Sequence, residues 1–425
     1  MYVSSGKISV LGWRIVVCCS TFAVMIRAHL LLIFLLPVLI SGCLPTRALV
    51  RNVPNTDDYK FFPEAQLSAS AEPSPLYYHP EPLALNQVEV RLPKAVYLNM
   101  EEIFEEEGTL AFMMLKNDTI IYENYFNKFD TTQDLVTSFS IAKAFTNTLV
   151  AMAIEKGFLE GLEQPVTDWM PELMKRDSAF TRLKIKHLVD MTSGLKIGAM
   201  DLAQVYYGRQ LDKYCRKVKL EHEPGTVYTY NNANTQLLAV CLERSTDKQL
   251  ETLMQEWIWT PLGMESDAIW SKDRKHEEGM PKAFCCINGN AHDFARFGLL
   301  YLNDGVWQGE RMVPEWWVDS TRSVDTTEGR VFDYHGHWHH YLGDYGFYQA
   351  GGLFEQYILV APERDMVLVH FCEKNRIRYS QWKDRFSQMF DQLDLNGSLD
   401  RFYPGQEKAP FNREDELPGS RRARN

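Results

Sequence analysis

Apolar positions change their spacing several times along the chain, and each change predicts a different element. Residues 138–157, SFSIAKAFTNTLVAMAIEKG, set Ile141, Ala144, Phe145, Leu149, Ala151, Met152 and Ile154 at near-helical intervals and end on a glycine. That pattern predicts an amphipathic, largely buried helix. Upstream, 109–125 (TLAFMMLKNDTIIYENY) reads as two β-rich runs around a turn at Asn117 and Asp118, a hairpin. A helix over 98–107 precedes it. More helices are expected over 183–191, 203–219, 234–243, 249–257 and 292–302, then short strands over 346–349, 356–360 and 366–371 and a closing helix over 381–393. Strands near both ends with helices between them predict an α/β protein of the α+β kind. Its antiparallel sheet is assembled from the two ends of the domain, flanked by helices, and joined by a helical subdomain.

The periodic region covers 93–395. Before it, 44–92 carries seven prolines and no sustained period, which predicts a tether, with Phe61, Phe62 and the tyrosines able to dock on the domain instead. After it, 396–425 is polar and reads as a disordered tail. At the front, HLLLIFLLPVLI (29–40) is short for a membrane span but suits the core of a secretory signal. It runs into Leu39, Ile40, Ser41, Gly42 and Cys43, which resembles a bacterial lipobox with Cys43 as the lipidated residue. Residues 1–43 are therefore expected as a leader, and Met25 followed by Arg27 as the true start. An uncleaved anchor is the alternative. The expected location is the bacterial cell envelope, lipid-anchored on the periplasmic face of the outer membrane.

Charge alters this picture little. Lys and Arg total 45 against 56 Asp and Glu, and a net charge of -11 without a basic stripe argues against nucleic acid as a partner. Of eight cysteines, Cys215, Cys241, Cys285, Cys286 and Cys372 lie beyond the leader. Without short CxxC pairs they predict mostly buried thiols, with room for one pair to oxidise after export and no bridge assigned.

The candidate chemistry sits at the start of the long helix, where Ser140 and Lys143 lie one turn apart on one face. A serine hydroxyl needs a base, and a lysine serves as one when burial or nearby positive charge lowers its pKa. The helix start supplies positive dipole, and Ile141, Ala142 and Ala144 supply desolvation. The bare SxxK pattern recurs at Ser4, Ser193, Ser245 and Ser380, so context selects Ser140, the copy that opens a long apolar helix after a hairpin.

Four stretches in order, TSFSIAKAF, HLVDMTSGL, PGTVYTYNNAN and DFARFGLLYLNDGVWQGERMVPEWW, resemble the serine β-lactamase and penicillin-binding protein superfamily. The likeness is to its class C-like branch of esterases, amidases and peptidases, and covers about 95–393. The resemblance implies that Ser140 is acylated, Lys143 is its proton partner, Tyr230 shares acid/base duty, and Asn232 hydrogen-bonds Lys143 and substrate. A phenol near a lysine is expected to have a lowered pKa. The third family element departs from its usual form: where many members carry Lys or His, any residue, then Gly, this chain reads Gln349, Ala350, Gly351, Gly352, with Glu355 where glycine is usual. This is closer to the form of 6-aminohexanoate-dimer hydrolase relatives. The strand is expected to offer an oxyanion donor among Ala350, Gly351 and Gly352, with the second from Ser140 itself.

These readings imply a lipid-anchored serine hydrolase that cleaves an ester or amide of a small-molecule or peptide substrate, with no metal or organic cofactor. The alternatives are a D,D-peptidase or β-lactam-interacting enzyme, and a non-catalytic binding protein on the same fold. The run His335, Gly336, His337, Trp338, His339, His340 superficially resembles an HxHxDH metal motif but lacks the Asp, and reads as a hydrated loop beside the active-site strand. No GxSxG elbow is present, which disfavours an α/β-hydrolase triad.

Overall fold

A computed structural model describes Leu44 and residues 54–127, 129, 134–275, 279–323, 334–373, 379–400, 402 and 409–410. Residues 1–43, with Met25 and the expected lipidation site Cys43, and 411–425 lie outside them.

The strands in chain order are β1 (Glu64–Leu67), β2 (Tyr77–Tyr78), β3 (Glu89–Leu92), β4 (Val96–Asn99), β5 (Thr109–Lys116), β6 (Thr119–Tyr125), β7 (Val136–Thr137), β8 (Ala268–Ser271), β9 (Ile287–Gly289), β10 (Val306–Trp307) and β11 (Glu310–Arg311). They continue with β12 (Tyr334–His335), β13 (Trp338–His340), β14 (Tyr348–Gly352), β15 (Gln356–Ala361), β16 (Met366–Cys372) and β17 (Ala409–Pro410). The principal sheet has the order β12-β13-β14-β15-β16-β5-β6-β2-β17. It is antiparallel except where β2 runs parallel to β6. The β16–β5 pair, with Val369 opposite Met113, joins the two ends of the domain as expected.

Both faces of the sheet are covered. Along β5, Leu110, Met113 and Leu115 enter one core and Phe112 and Met114 the other. Because each face is dry, the strand reads as one apolar run rather than an alternation. The first core packs the sheet against α2 (Ala142–Glu155), α7 (Asn232–Thr246) and α9 (Ala291–Leu302), through Phe145, Leu237 and Phe294. The second packs it against α1 (Met100–Glu107) and α11 (Tyr379–Leu395), through Phe104, Trp382 and Phe386. The helical middle comprises α3 (Pro171–Met174), α4 (Ile185–Val189), α5 (Ala199–Tyr207), α6 (Leu211–Cys215) and α8 (Leu250–Met254), and α10 (Glu315–Arg322) follows α9.

Local chemistry accounts for the boundaries. Asn99 caps α1 in a capping box with Glu102, and Gly108 closes it at φ 87°. Asn117 and Asp118 both take positive φ in the β5–β6 turn, as a two-residue hairpin requires. The expected helix over 203–219 is broken at Gly208 into α5 and α6. The 138–157 helix is not amphipathic: Thr146, Asn147 and Thr148 are buried with its apolar residues, since α2 is central and enclosed on all sides. Its start is a 3-10 turn, Phe139–Ile141, with the α-helix beginning at Ala142.

The tether expectation for 44–92 is corrected from Asn55 onward, where the larger folded unit begins. β1 pairs with β8, placing Ala65 opposite Trp270, and β2 joins the principal sheet. Leu67 and Leu76 sink into one core and Leu83, Leu85, Val88 and Val90 into the other. Singly spaced apolar residues anchor an extended arm without generating any periodicity. At the other end, Leu399 and Phe402 are also buried, which corrects the expectation of a disordered tail at these two residues.

Candidate active site

The 3-10 turn before α2 holds Ser140 half-buried at the protein surface. Phe139, the residue before it, has φ 44°, a left-handed conformation that costs a non-glycine residue on the order of 1 kcal/mol or more. Packing holds it there: its ring lies 5.3 Å from Phe354, and its carbonyl accepts from the Cys286 N–H at 3.3 Å.

One turn on, Lys143 is fully buried. Its Nζ lies 2.8 Å from Ser140 Oγ, 2.7 Å from Tyr230 OH and 3.0 Å from the Phe284 carbonyl. Burial pushes its pKa well below the ordinary 10.5. A neutral amine has two N–H donors and one lone pair. The Phe284 carbonyl can only accept, so in the neutral form of the amine one of the two hydroxyls accepts from it and the other donates to it. That arrangement sets Lys143 to take a proton from either.

Tyr230 presents a ring that is 40% exposed while its hydroxyl reaches inward to Lys143. Its pKa is raised, not lowered as expected: burial dominates, and the hydrogen bond with Ser140 offsets it only in part. Tyr230 is therefore a phenol at rest.

Asn232 does not hold Lys143. It is the first residue of α7, while Asn231 caps that helix by accepting from the Ala233 N–H at 3.0 Å. The third hydrogen-bond partner of Lys143 is the Phe284 carbonyl. A backbone atom from a segment 141 residues away carries no side-chain signature, so sequence reasoning missed it.

The strand beside the serine is β14, and the three expected donor positions separate. Ala350 sits inside a ladder, opposite Trp338 on one side and Ile358 on the other. Gly351 and Gly352 extend past the end of β13 and, among the described residues, pair only on the β15 side. Gly352 passes so close to the nucleophile turn that a Cβ there would lie 2.4 Å from the Ser138 carbonyl oxygen. Glu355, in the loop after the strand, has φ 60°, which explains why glycine suits that position. Gln349, where many members carry a cation, is buried, with its Nε2 3.3 Å from His339 Nε2 and 3.2 Å from Tyr379 OH.

The histidine run forms part of strands β12 and β13 and the turn between them, not a loop. His335 Nδ1 lies 2.7 Å from Asp190, and His337 Nε2 lies 2.6 Å from the Gly351 carbonyl. Burial holds His337 well below 6.5, so it is a neutral donor that fixes the open edge of β14. His370 lies in the second core, within hydrogen-bond reach of Thr109 and the Glu355 carbonyl. Among the described residues no three His, Cys, Asp or Glu side chains gather as a metal site.

Comparison with known proteins agrees with this geometry. The family profile described as Beta-lactamase matches residues 100–379. The chain is 26% identical over 326 residues to the 6-aminohexanoate-dimer hydrolase of Paenarthrobacter ureafaciens, covering 71% of this chain and 78% of that protein. It is 27% identical over 179 residues to a D-aminopeptidase of Brucella anthropi, covering 40% of this chain and 32% of the relative. A Bacillus anthracis structure, solved as a candidate 6-aminohexanoate-dimer hydrolase, superposes with a TM-score of 0.69 at 23% identity, over 82% of this chain and 94% of that one. A penicillin-binding protein of Bacillus halodurans superposes at 0.54 with 15% identity, over 70% and 99%. With a profile spanning most of the folded region and a shared fold, the chain belongs to the beta-lactamase family of serine hydrolases.

Proposed function

We propose that this enzyme cleaves an ester or a linear amide through an acyl-enzyme on Ser140. The observation that carries the reading is the buried Lys143 amine, in contact with both the Ser140 and Tyr230 hydroxyls and with its pKa pushed down by burial. Ser140 Oγ attacks the acyl carbon as its proton passes to Lys143 Nζ, and Tyr230 delivers a proton to the departing alkoxide or amine. The Ser140 N–H and a β14 glycine N–H receive the charge that develops on the carbonyl oxygen. Water then attacks the acyl carbon and regenerates the serine. Gln349, neutral and buried where many members place a cation, supports substrates without a recognised carboxylate over carboxylate-ended peptides.

Intact-protein mass spectra after exposure to a fluorophosphonate, and separately to a penicillin, test this beside Ser140→Ala. The expected result is a fluorophosphonate adduct on wild type alone. A durable penicillin adduct would move the substrate class towards peptidases and lactams, and no adduct with either reagent would refute the hydrolase reading. The same proposal includes export and lipid attachment at Cys43. A lipid-sized mass increment on the Cys43 peptide tests that part, and an intact peptide spanning 40–46 from cells would refute it.

A further inference from the structure

Residues 283–287 run alongside the turn carrying Ser140 and the start of α2, and are fastened to them at four points. Thr146 Oγ1 donates to the Ala283 carbonyl at 2.9 Å, and Lys143 Nζ lies 3.0 Å from the Phe284 carbonyl. The Cys286 N–H donates to the Phe139 carbonyl at 3.3 Å, and the Ser138 N–H donates to the Ile287 carbonyl at 2.9 Å. In the middle of this seam the adjacent residues Cys285 and Cys286 are joined by a disulfide, and Cys286 takes φ 71°. Trp270 Nε1 donates to the Cys285 carbonyl at 3.1 Å, so the far side of the seam is pinned as well.

We propose that the Cys285–Cys286 disulfide is a positioning element of the active site, locking the backbone that supplies the Phe284 carbonyl to Lys143 and the Cys286 N–H to Phe139. Bonding neighbouring residues closes a small ring that includes their shared peptide, which removes backbone freedom at the point where the chain turns through a left-handed residue. Without the ring, Cys286 is an ordinary L-residue held at φ 71° by hydrogen bonds alone. Relaxation there releases the Phe139 carbonyl and shifts the Phe284 carbonyl, opening the pocket around the Lys143 amine to water. A hydrated amine is protonated more readily. The other groups facing it, Ser140, Tyr230 and the neutral His337, carry no negative charge to redirect that change. Reduction would be balanced by a dithiol: the S–S bond breaks, two S–H groups form, and the reductant becomes a cyclic disulfide.

The inference rests on the proposed role of Lys143, and the test separates the two. Cys285→Ser/Cys286→Ser is compared with wild type and with dithiol-treated wild type, because the sulfurs are buried and reduction of the native protein is slow. Peptide mapping of unreduced, alkylated wild type must show the Cys285–Cys286 peptide two mass units light and unalkylated. The fluorophosphonate inactivation rate is then followed from pH 6 to 10. The expected result is a rising limb displaced upward by about one pH unit, hence inactivation about tenfold slower on the acid side of that limb and equal on the plateau above it. A parallel titration of the Lys143 Nζ resonance in 15N-lysine protein, assigned by its loss in Lys143→Met, should show the same displacement. Superimposable profiles and resonances in folded variant and wild type, or free thiols in the native protein, would overturn the proposal. Absence of Ser140 labelling in every form would refute the hydrolase reading, while the lysine titration still decides the positioning role.

Discussion

Gly352→Ala tests the closest approach in the site. The new Cβ would stand 2.4 Å from the Ser138 carbonyl oxygen, 3.2 Å from Gln356 Cβ and 3.3 Å from Phe139 Cβ, where ordinary contact begins at 3.4 Å. The shortfall against the carbonyl is therefore 1.0 Å, and both partners there are backbone. Either β14 or the turn carrying Ser140 must move by about that amount. Overpacking of this kind costs about 1–3 kcal/mol of stability, and a misplacement of ~1 Å between nucleophile and oxyanion donor costs about a hundredfold in rate. Turnover of a p-nitrophenyl ester and the fluorophosphonate inactivation rate read the second effect, and a thermal melt reads the first. Gly343→Ala is the control: no heavy atom lies within 4 Å of a Cβ there, so it should behave as wild type. If Gly352→Ala keeps wild-type turnover within twofold while melting normally, the Gly352 edge is not part of the site.

Other consequences follow from the buried charges. Lys143→Met should lower turnover by about 10²–10⁴-fold, as loss of a general base does, yet raise the melting temperature at pH 7. Burial holds the folded lysine's pKa well below its unfolded 10.5, so between the two values the unfolded state binds more protons and this group's contribution to stability rises with pH. The variant's advantage should shrink over that range, and a lower melting temperature for it at pH 7 would refute the depressed pKa. A second prediction concerns His292, between Glu123 and Glu265 at 2.8 Å each. Burial pulls its pKa down, but the two carboxylates outweigh this and hold it up, to about 10. Its folded pKa thus lies above the unfolded 6.5, so its stabilisation, roughly a few kcal/mol, is complete below pH 6.5 and lost as pH rises towards 10. Arg296 completes this cluster by donating to Glu265 and to the Ser74 carbonyl, which fastens the N-terminal arm. The melting advantage of wild type over His292→Gln should therefore be largest at pH 6 and shrink towards pH 10, with parallel curves as the refuting result.

The sequence by itself determined the elements whose signals are local. The hairpin turn at Asn117–Asp118, the helix after Ser140, the closing strands and the Ser140–Lys143 spacing all follow from periodicity and turn chemistry within a few residues. The order of its motifs was enough to connect Tyr230 with that pair and to identify the family, which the matched profile bears out. Tertiary structure decided what depends on distant partners. Asn232 is one residue from Asn231 and chemically identical, and the path of the chain into α7 makes one the cap and the other the first residue of the helix. The arm from Asn55 lacks any period because sheet edges and two separate cores receive its residues one at a time. Cys285–Cys286 and the Phe284 carbonyl gained their meaning from a seam between segments about 140 residues apart. Burial, the physical cause of the lysine's lowered pKa and the tyrosine's raised one, belongs to the folded molecule as a whole.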